Sequence, residues 1–124
     1  MEKLRHLPDG ELEVMQAIWH KASPGSRTDI EEEIGKRRQL APTTILTFLS
    51  RLCQKGFLAM ERRGRTNYYT PIVGEEEYLA AESRSVIDRL YGGSLTAFAA
   101  SLSQSGISRE EVEALRKMIE EGSL

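Results

Sequence analysis

Pro42 and Gly56 bracket a segment, Pro42-Thr-Thr-Ile-Leu-Thr-Phe-Leu-Ser-Arg-Leu-Cys-Gln-Lys-Gly56, that has room for little besides one helix with two unlike faces. Proline suits the first helical position, where its missing N–H costs nothing, and glycine suits the left-handed residue that closes a helix. Ile45, Leu49 and Leu52, with Phe48, recur at helical spacing and make a stripe for burial. Thr43, Thr44, Thr47, Ser50, Arg51 and Gln54 fall on the opposite face. Directly afterwards, Phe57-Leu-Ala-Met-Glu-Arg62 and Thr66-Asn-Tyr-Tyr-Thr-Pro71 have strand character and flank a turn at Gly64. A helix that runs straight into a hairpin admits few folds once the upstream segments are known.

Those segments are helical. Leu12, Met15, Ile18 and Trp19 define a first helix from about Pro8-Asp9 to Lys21, with Asp9 placed to cap its first turn and Ser23-Pro24-Gly25 to end it. Ser26-Arg-Thr-Asp29 has the form of a capping box for a short second helix, whose apolar face is Ile30 and Ile34 and whose solvated side is Glu31-Glu32-Glu33. The predicted fold class is therefore mainly α: a winged helix-turn-helix, three helices plus a β-hairpin wing, over residues 1–73. Of Tyr68 and Tyr69, which alternate along the second strand, one should pack inward and the other face the wing surface.

A boundary is expected at Pro71 to Gly74, after which residues 74–124 form a separate region. Three helices are predicted there, about Glu75 to Tyr91, Ser94 to Gln104 and Ser108 to Glu121, separated by Gly92-Gly93 and by a Ser108/Glu111 capping box. Their stripes are Leu79, Val86, Ile87 and Leu90, then Leu95, Phe98 and Leu102, then Val112, Leu115, Met118 and Ile119. Three such helices cannot enclose a core alone, so this region reads as a helical dimerisation domain whose cheapest partner is a second copy of the chain.

Charge separates the two regions. The stretch Lys36 to Arg65 holds eight basic residues against one acid, Glu61, while residues 74–124 carry a net charge of -5 and residues 1–73 a net +3. A polar-faced helix followed by a basic hairpin is the footprint of a DNA reader. Thr43, Thr44, Thr47, Ser50, Arg51 and Gln54 are short or polar enough to enter a major groove, and Arg51 can address guanine in bidentate fashion. Arg62, Arg63 and Arg65 around a tight turn repel one another unless phosphates or a minor groove neutralise them. Arg27, Lys36, Arg37 and Arg38 are candidates for backbone contacts, as is Tyr68. The bland alternative for the threonine and serine positions is a merely exposed helix face.

Enzymatic function is not expected: the chain has no Ser-His-Asp or Cys-His arrangement, phosphate loop or metal-ligand cluster, and neither a metal nor a cofactor is implied. His6 and His20 read as surface or helix-terminal residues. The single cysteine, Cys53, excludes an intrachain disulfide and reads as a half-buried packing residue. No apolar run approaches a membrane span and the N-terminus lacks an apolar signal region, so no membrane insertion and a cytoplasmic location are expected. A rival to the DNA reader is a winged-helix protein-interaction module, and a third reading is a regulator with a small-molecule pocket between tail and wing.

The chain resembles the family of penicillinase and methicillin-resistance repressors and their copper-responsive relatives (BlaI/MecI/CopY). The resemblance rests on Leu12-Glu13-Val14-Met15 with Ile18-Trp19, on Thr43-Thr44-Ile45-Leu46-Thr47 with Leu52 and Lys55-Gly56, on Gly64-Arg65 with Tyr69 and Pro71, and on Gly92-Gly93-Ser94-Leu95. It implies a homodimeric transcriptional repressor on a palindromic double-stranded DNA operator, with the tail helices forming the dimer. The copper-responsive members carry paired Cys-x-Cys motifs in the tail, and this tail has no cysteine. The penicillinase-type members are cut by a membrane sensor protease at an Asn-Phe bond; the corresponding pair here is Ala97-Phe98, in which the Phe matches and the Asn does not. The alternative for Phe98 is an ordinary dimer-core residue.

Overall fold

The computed structural model describes residues 4–20 and 24–121, the side chain of Ile119 excepted; the expected dimer contact of Ile119 and the helix end near Lys21 and Ser23 lie outside the described residues. The elements run α1 (Asp9–His20), β1 (Gly25–Ser26), α2 (Arg27–Gly35), α3 (Pro42–Gln54), β2 (Leu58–Arg63), β3 (Thr66–Pro71), α4 (Glu75–Tyr91), α5 (Leu95–Gln104) and α6 (Arg109–Glu120). Helices α1 to α3 and the β2–β3 hairpin reproduce the predicted winged helix. Among the described residues, no helix is long and apolar enough to cross a membrane.

Two details differ from expectation. Asp9 does not cap α1: the carbonyl of Pro8 accepts the Leu12 N–H at 2.9 Å, and Asp9 already lies in the first turn, where its charge favours the positive end of the helix dipole. The wing is also more than a hairpin. Gly25 and Ser26 pair antiparallel with Tyr69 and Tyr68, giving a three-stranded sheet in the order β1-β3-β2.

Local chemistry explains the remaining ends. Ser26 caps α2, its hydroxyl accepting the Asp29 N–H at 3.2 Å while the Asp29 carboxylate accepts the Ser26 N–H at 3.1 Å. Pro42 opens α3, and Gly56 closes it at φ 81, a conformation that costs a residue with a Cβ about 1–2 kcal/mol. Gly64, at φ 64, turns β2 into β3.

The first compact unit ends at Glu82. Its core joins Leu7, Val14, Met15 and Ile18 to Ile30, Ile34, Ile45, Leu49, Leu52, Phe57, Leu58, Tyr69 and Val73, and also to Tyr78 from the first turn and a half of α4. Tyr78 is fully buried: its hydroxyl accepts the Leu7 N–H at 2.9 Å, and its ring lies 5.7 Å from Phe57 and 5.9 Å from Trp19. Trp19 donates to the Val73 carbonyl at 2.9 Å, and His20 and His6 bond to Glu75 (2.7 Å) and Glu82 (2.8 Å). The start of α4 is thus built into the winged unit.

The second unit begins at Ser83. Ser94 caps α5 by accepting the Ala97 N–H, Ser108 and Glu111 form the expected capping box of α6, and Tyr91 meets Phe98 edge-on at 5.6 Å. No described side chain of this unit is buried. Leu90, Leu95, Val112, Leu115 and Met118 are exposed, and Val86, Ile87, Phe98 and Leu102 are half-buried. Leu79 is exposed on the part of α4 that belongs to the first unit.

Candidate nucleic-acid interface

Because Ile45, Leu49 and Leu52 are fully buried against α1 and α2, the opposite face of α3 is turned outward. Thr43, Thr47, Ser50, Arg51 and Gln54 are exposed, and Thr44 is half-buried at the edge of the stripe. Thr47 donates its hydroxyl hydrogen to the Thr43 carbonyl at 2.9 Å, so its oxygen is left to act as an acceptor and its methyl to make apolar contact. Phe48, half-buried, packs toward α1, where its ring crowds Gly10; a Cβ there would stand 2.6 Å from Phe48 Cζ.

The candidate cations fall into two groups. Arg27 is paired with Glu31, Lys36 with Glu33 at 3.0 Å and Arg38 with Glu13 at 2.8 Å. Such exposed pairs contribute at most about 1 kcal/mol and open readily for a stronger anion. Arg37, Arg51 and Arg65 have no side-chain hydrogen bond or ion pair among the described residues. Among the described residues, these three and Arg62 are the candidate cations with no acid partner.

The wing uses its arginines differently from one another. Arg62 Nε donates to the Gly64 carbonyl at 3.0 Å and so closes the turn. Arg63 lies 5.2 Å from the centre of the Tyr68 ring and 3.4 Å from Glu61, which stiffens the exposed face of the hairpin. Tyr69 is the tyrosine that packs inward, and burial followed by the proximity of Cys53 pushes its phenol pKa up. Cys53 is half-buried and burial raises its thiol pKa, which keeps it protonated and unreactive at neutral pH.

A recess connects these parts. Ser26, Arg27 and Thr28 at the start of α2, Leu46 on α3, and Arg65, Thr66, Asn67 and Tyr69 on the wing line one concavity. The fold therefore brings Arg27 and Arg65 to the same hollow, although they are far apart in sequence. Leu46, Thr66 and Asn67 are absent from the residues singled out by sequence. Leu46 lies one turn after Thr43, a spacing that signals a place beside the polar face of α3. Among the described residues, no group of His, Cys, Asp and Glu is arranged to hold a metal ion.

Comparison with known proteins agrees with this geometry. The family model described as penicillinase repressor matches residues 7–121. The penicillinase repressor of Bacillus licheniformis is 36% identical over 122 residues, 98% of this chain and 94% of that protein. The methicillin resistance regulatory protein MecI of Mammaliicoccus sciuri is 30% identical over 118 residues, 94% and 95% of the two chains. Among solved structures, the DNA-binding domain of the repressor BlaI matches at 40% identity with a TM-score of 0.54, over 63% of this chain and 94% of that one. The monomeric form of Bacillus licheniformis BlaI in complex with the blaP half-operator matches at 38% identity with a TM-score of 0.52, over the same shares.

Proposed function

This chain belongs to the penicillinase repressor family of DNA-binding transcriptional repressors, and we propose that it acts as a homodimer on a palindromic double-stranded operator, with residues 1–73 reading DNA and residues 74–124 dimerising. In this reading α3 enters the major groove and the β2–β3 wing lies on the neighbouring backbone or minor groove. The observation that carries it is the hollow that α3 shares with the start of α2 and the wing, lined by Arg27, Leu46 and Arg65, next to an exposed α3 face of hydroxyls and Arg51. Thr43, Thr44, Thr47, Ser50, Arg51 and Gln54 address bases or adjoining phosphates. Arg27, Lys36, Arg37, Arg38, Arg62, Arg63, Arg65 and Tyr68 neutralise or touch the backbone.

Repression follows by occupation: a protein seated across a promoter excludes the polymerase. The second unit supports the dimer because none of its described side chains is fully buried and Leu90, Leu95, Leu115 and Met118 are exposed. The relative whose monomeric form was solved on a half-operator supports one winged unit per half-site. A two-fold dimer then places two such units on a palindrome at a spacing set by whole turns of DNA. The work is done in the cytoplasm, where the DNA is, and involves no catalysis.

Release by a membrane sensor protease would act at Ala97-Phe98. That bond sits early in α5, with the Phe98 N–H bonded to the Ser94 carbonyl at 3.2 Å, so α5 must unwind locally before a protease can take it as an extended strand. Footprinting of the full-length protein on DNA upstream of its own gene, at two salt concentrations with competitor, tests the proposal. A protected palindrome that is lost steeply with salt supports it; diffuse binding abolished by competitor counts against it.

A further inference from the structure

Leu46 stands at the edge of the outward face of α3, beside Thr43 and Ser50, and 43% of its surface is exposed. The buried stripe of the helix is complete without it, since Ile45, Leu49 and Leu52 already fill the core at 1% exposure or less. Its position, three residues after Thr43 and four before Ser50, puts it beside both of them, at the edge of the hydroxyl row that faces the wing. It also faces the recess whose rim holds Arg27, Arg65 and Asn67. Phosphates drawn to those cations bring a groove over an apolar side chain.

B-DNA offers such a side chain one apolar partner in the major groove, the 5-methyl group of thymine. Cytosine presents an amino group and no methyl, and purines present N7 with O6 or N6. A leucine pressed against any of these strips a polar base atom of water without replacing the hydrogen bond. We infer that Leu46 is a specificity-determining residue that selects thymine in each half-site by contact with its 5-methyl group. The inference rests on the proposed seating of α3 in the major groove.

Deoxyuridine removes that methyl and leaves the pairing unchanged. The probe is a duplex selected from a random-sequence pool by the full-length protein, with each thymine in turn replaced by deoxyuridine. For the wild type, one thymine per half-site is expected to weaken binding about fourfold on replacement, the worth of one buried methyl. Leu46→Met should keep that discrimination. Leu46→Ala should bind the thymine and uracil duplexes alike, with an unchanged salt slope that shows its cationic surface intact.

Wild-type indifference to uracil at every position would overturn the inference while leaving the groove reading standing. So would a uracil penalty that survives in Leu46→Ala, or a selected sequence without thymine opposite α3. If no duplex is enriched over competitor, the groove reading and the inference fall together.

Discussion

Lys55, the residue that caps the C-terminal end of α3, donates through its Nζ to the carboxylate of Glu11, which is buried in the first turn of α1. This ion pair ties the far end of the outward-facing helix to the helix behind it. Only the lysine reaches solvent, with 19% of its side chain exposed against 2% for the glutamate.

Lys55→Met leaves a buried carboxylate without its cation and is expected to cost about 2–3 kcal/mol, the low side for a broken buried pair because Lys55 is partly hydrated. Replacing both residues, Glu11→Leu with Lys55→Met, should recover most of that loss. Denaturant titrations of the single and double variants measure the difference. Equal stability of Lys55→Met and wild type would mean that the pair contributes nothing.

Arg51→Ala is expected to weaken operator binding by about 1–3 kcal/mol and to relax the preference for operator over scrambled DNA. Arg65→Ala should weaken both duplexes to a similar degree and reduce the salt slope by about one. Binding isotherms at several salt concentrations separate the two. An Arg51→Ala protein with full operator preference would remove that residue from base reading.

Alkali should destabilise the winged unit. Burial raises the pKa of Cys53 above its ordinary 9.0, and burial is also the main cause that raises Tyr69 and Tyr78 above 10.0. The unfolded chain therefore releases these protons first. The stability they contribute is complete below the ordinary values and declines as pH climbs through them toward the folded ones. Unfolding midpoints between pH 7 and 11 should fall from about pH 9 upward, and Cys53→Ala should delay the onset toward the tyrosine range. A midpoint that rises over that interval contradicts the assignment.

Leu115→Glu places a charge in the exposed stripe of α6 beside Val112 and Met118. Sedimentation velocity should report a folded monomer, and binding to a full palindrome should drop much more than binding to a half-site. A dimer that survives this change would move the interface elsewhere in the tail.

The parts of the fold legible in sequence were those set by neighbours along the chain. Pro42 and Gly56 mark α3, Ser26 and Asp29 form the box that starts α2, and Gly64 turns the wing. What escaped depends on residues distant in sequence. The strand Gly25–Ser26 exists only through its pairing with Tyr68 and Tyr69, and two residues have no periodicity to read. Tyr78 follows the Pro71–Gly74 break and looks like the start of a tail helix, yet its ring completes the winged core. In the candidate site, residue type located the basic and hydroxyl positions, whereas the Arg27–Glu31 pairing and the hollow shared by Leu46, Arg65 and Asn67 required the folded chain.

Helix α4 begins inside the core of the winged unit and ends with Tyr91 against Phe98 in the next. A cut at Ala97-Phe98 therefore spares every residue that packs the first unit and every cation proposed to touch DNA. If such a cut parts the proposed dimer, what it takes away is simultaneity. While two winged units are joined, the binding of one holds the other at a high effective concentration over the second half-site, and the operator is gripped far more tightly than either unit alone can manage. Once they are parted, each unit must find its half-site from bulk solution, so an intact reading surface is silenced by dilution rather than damage.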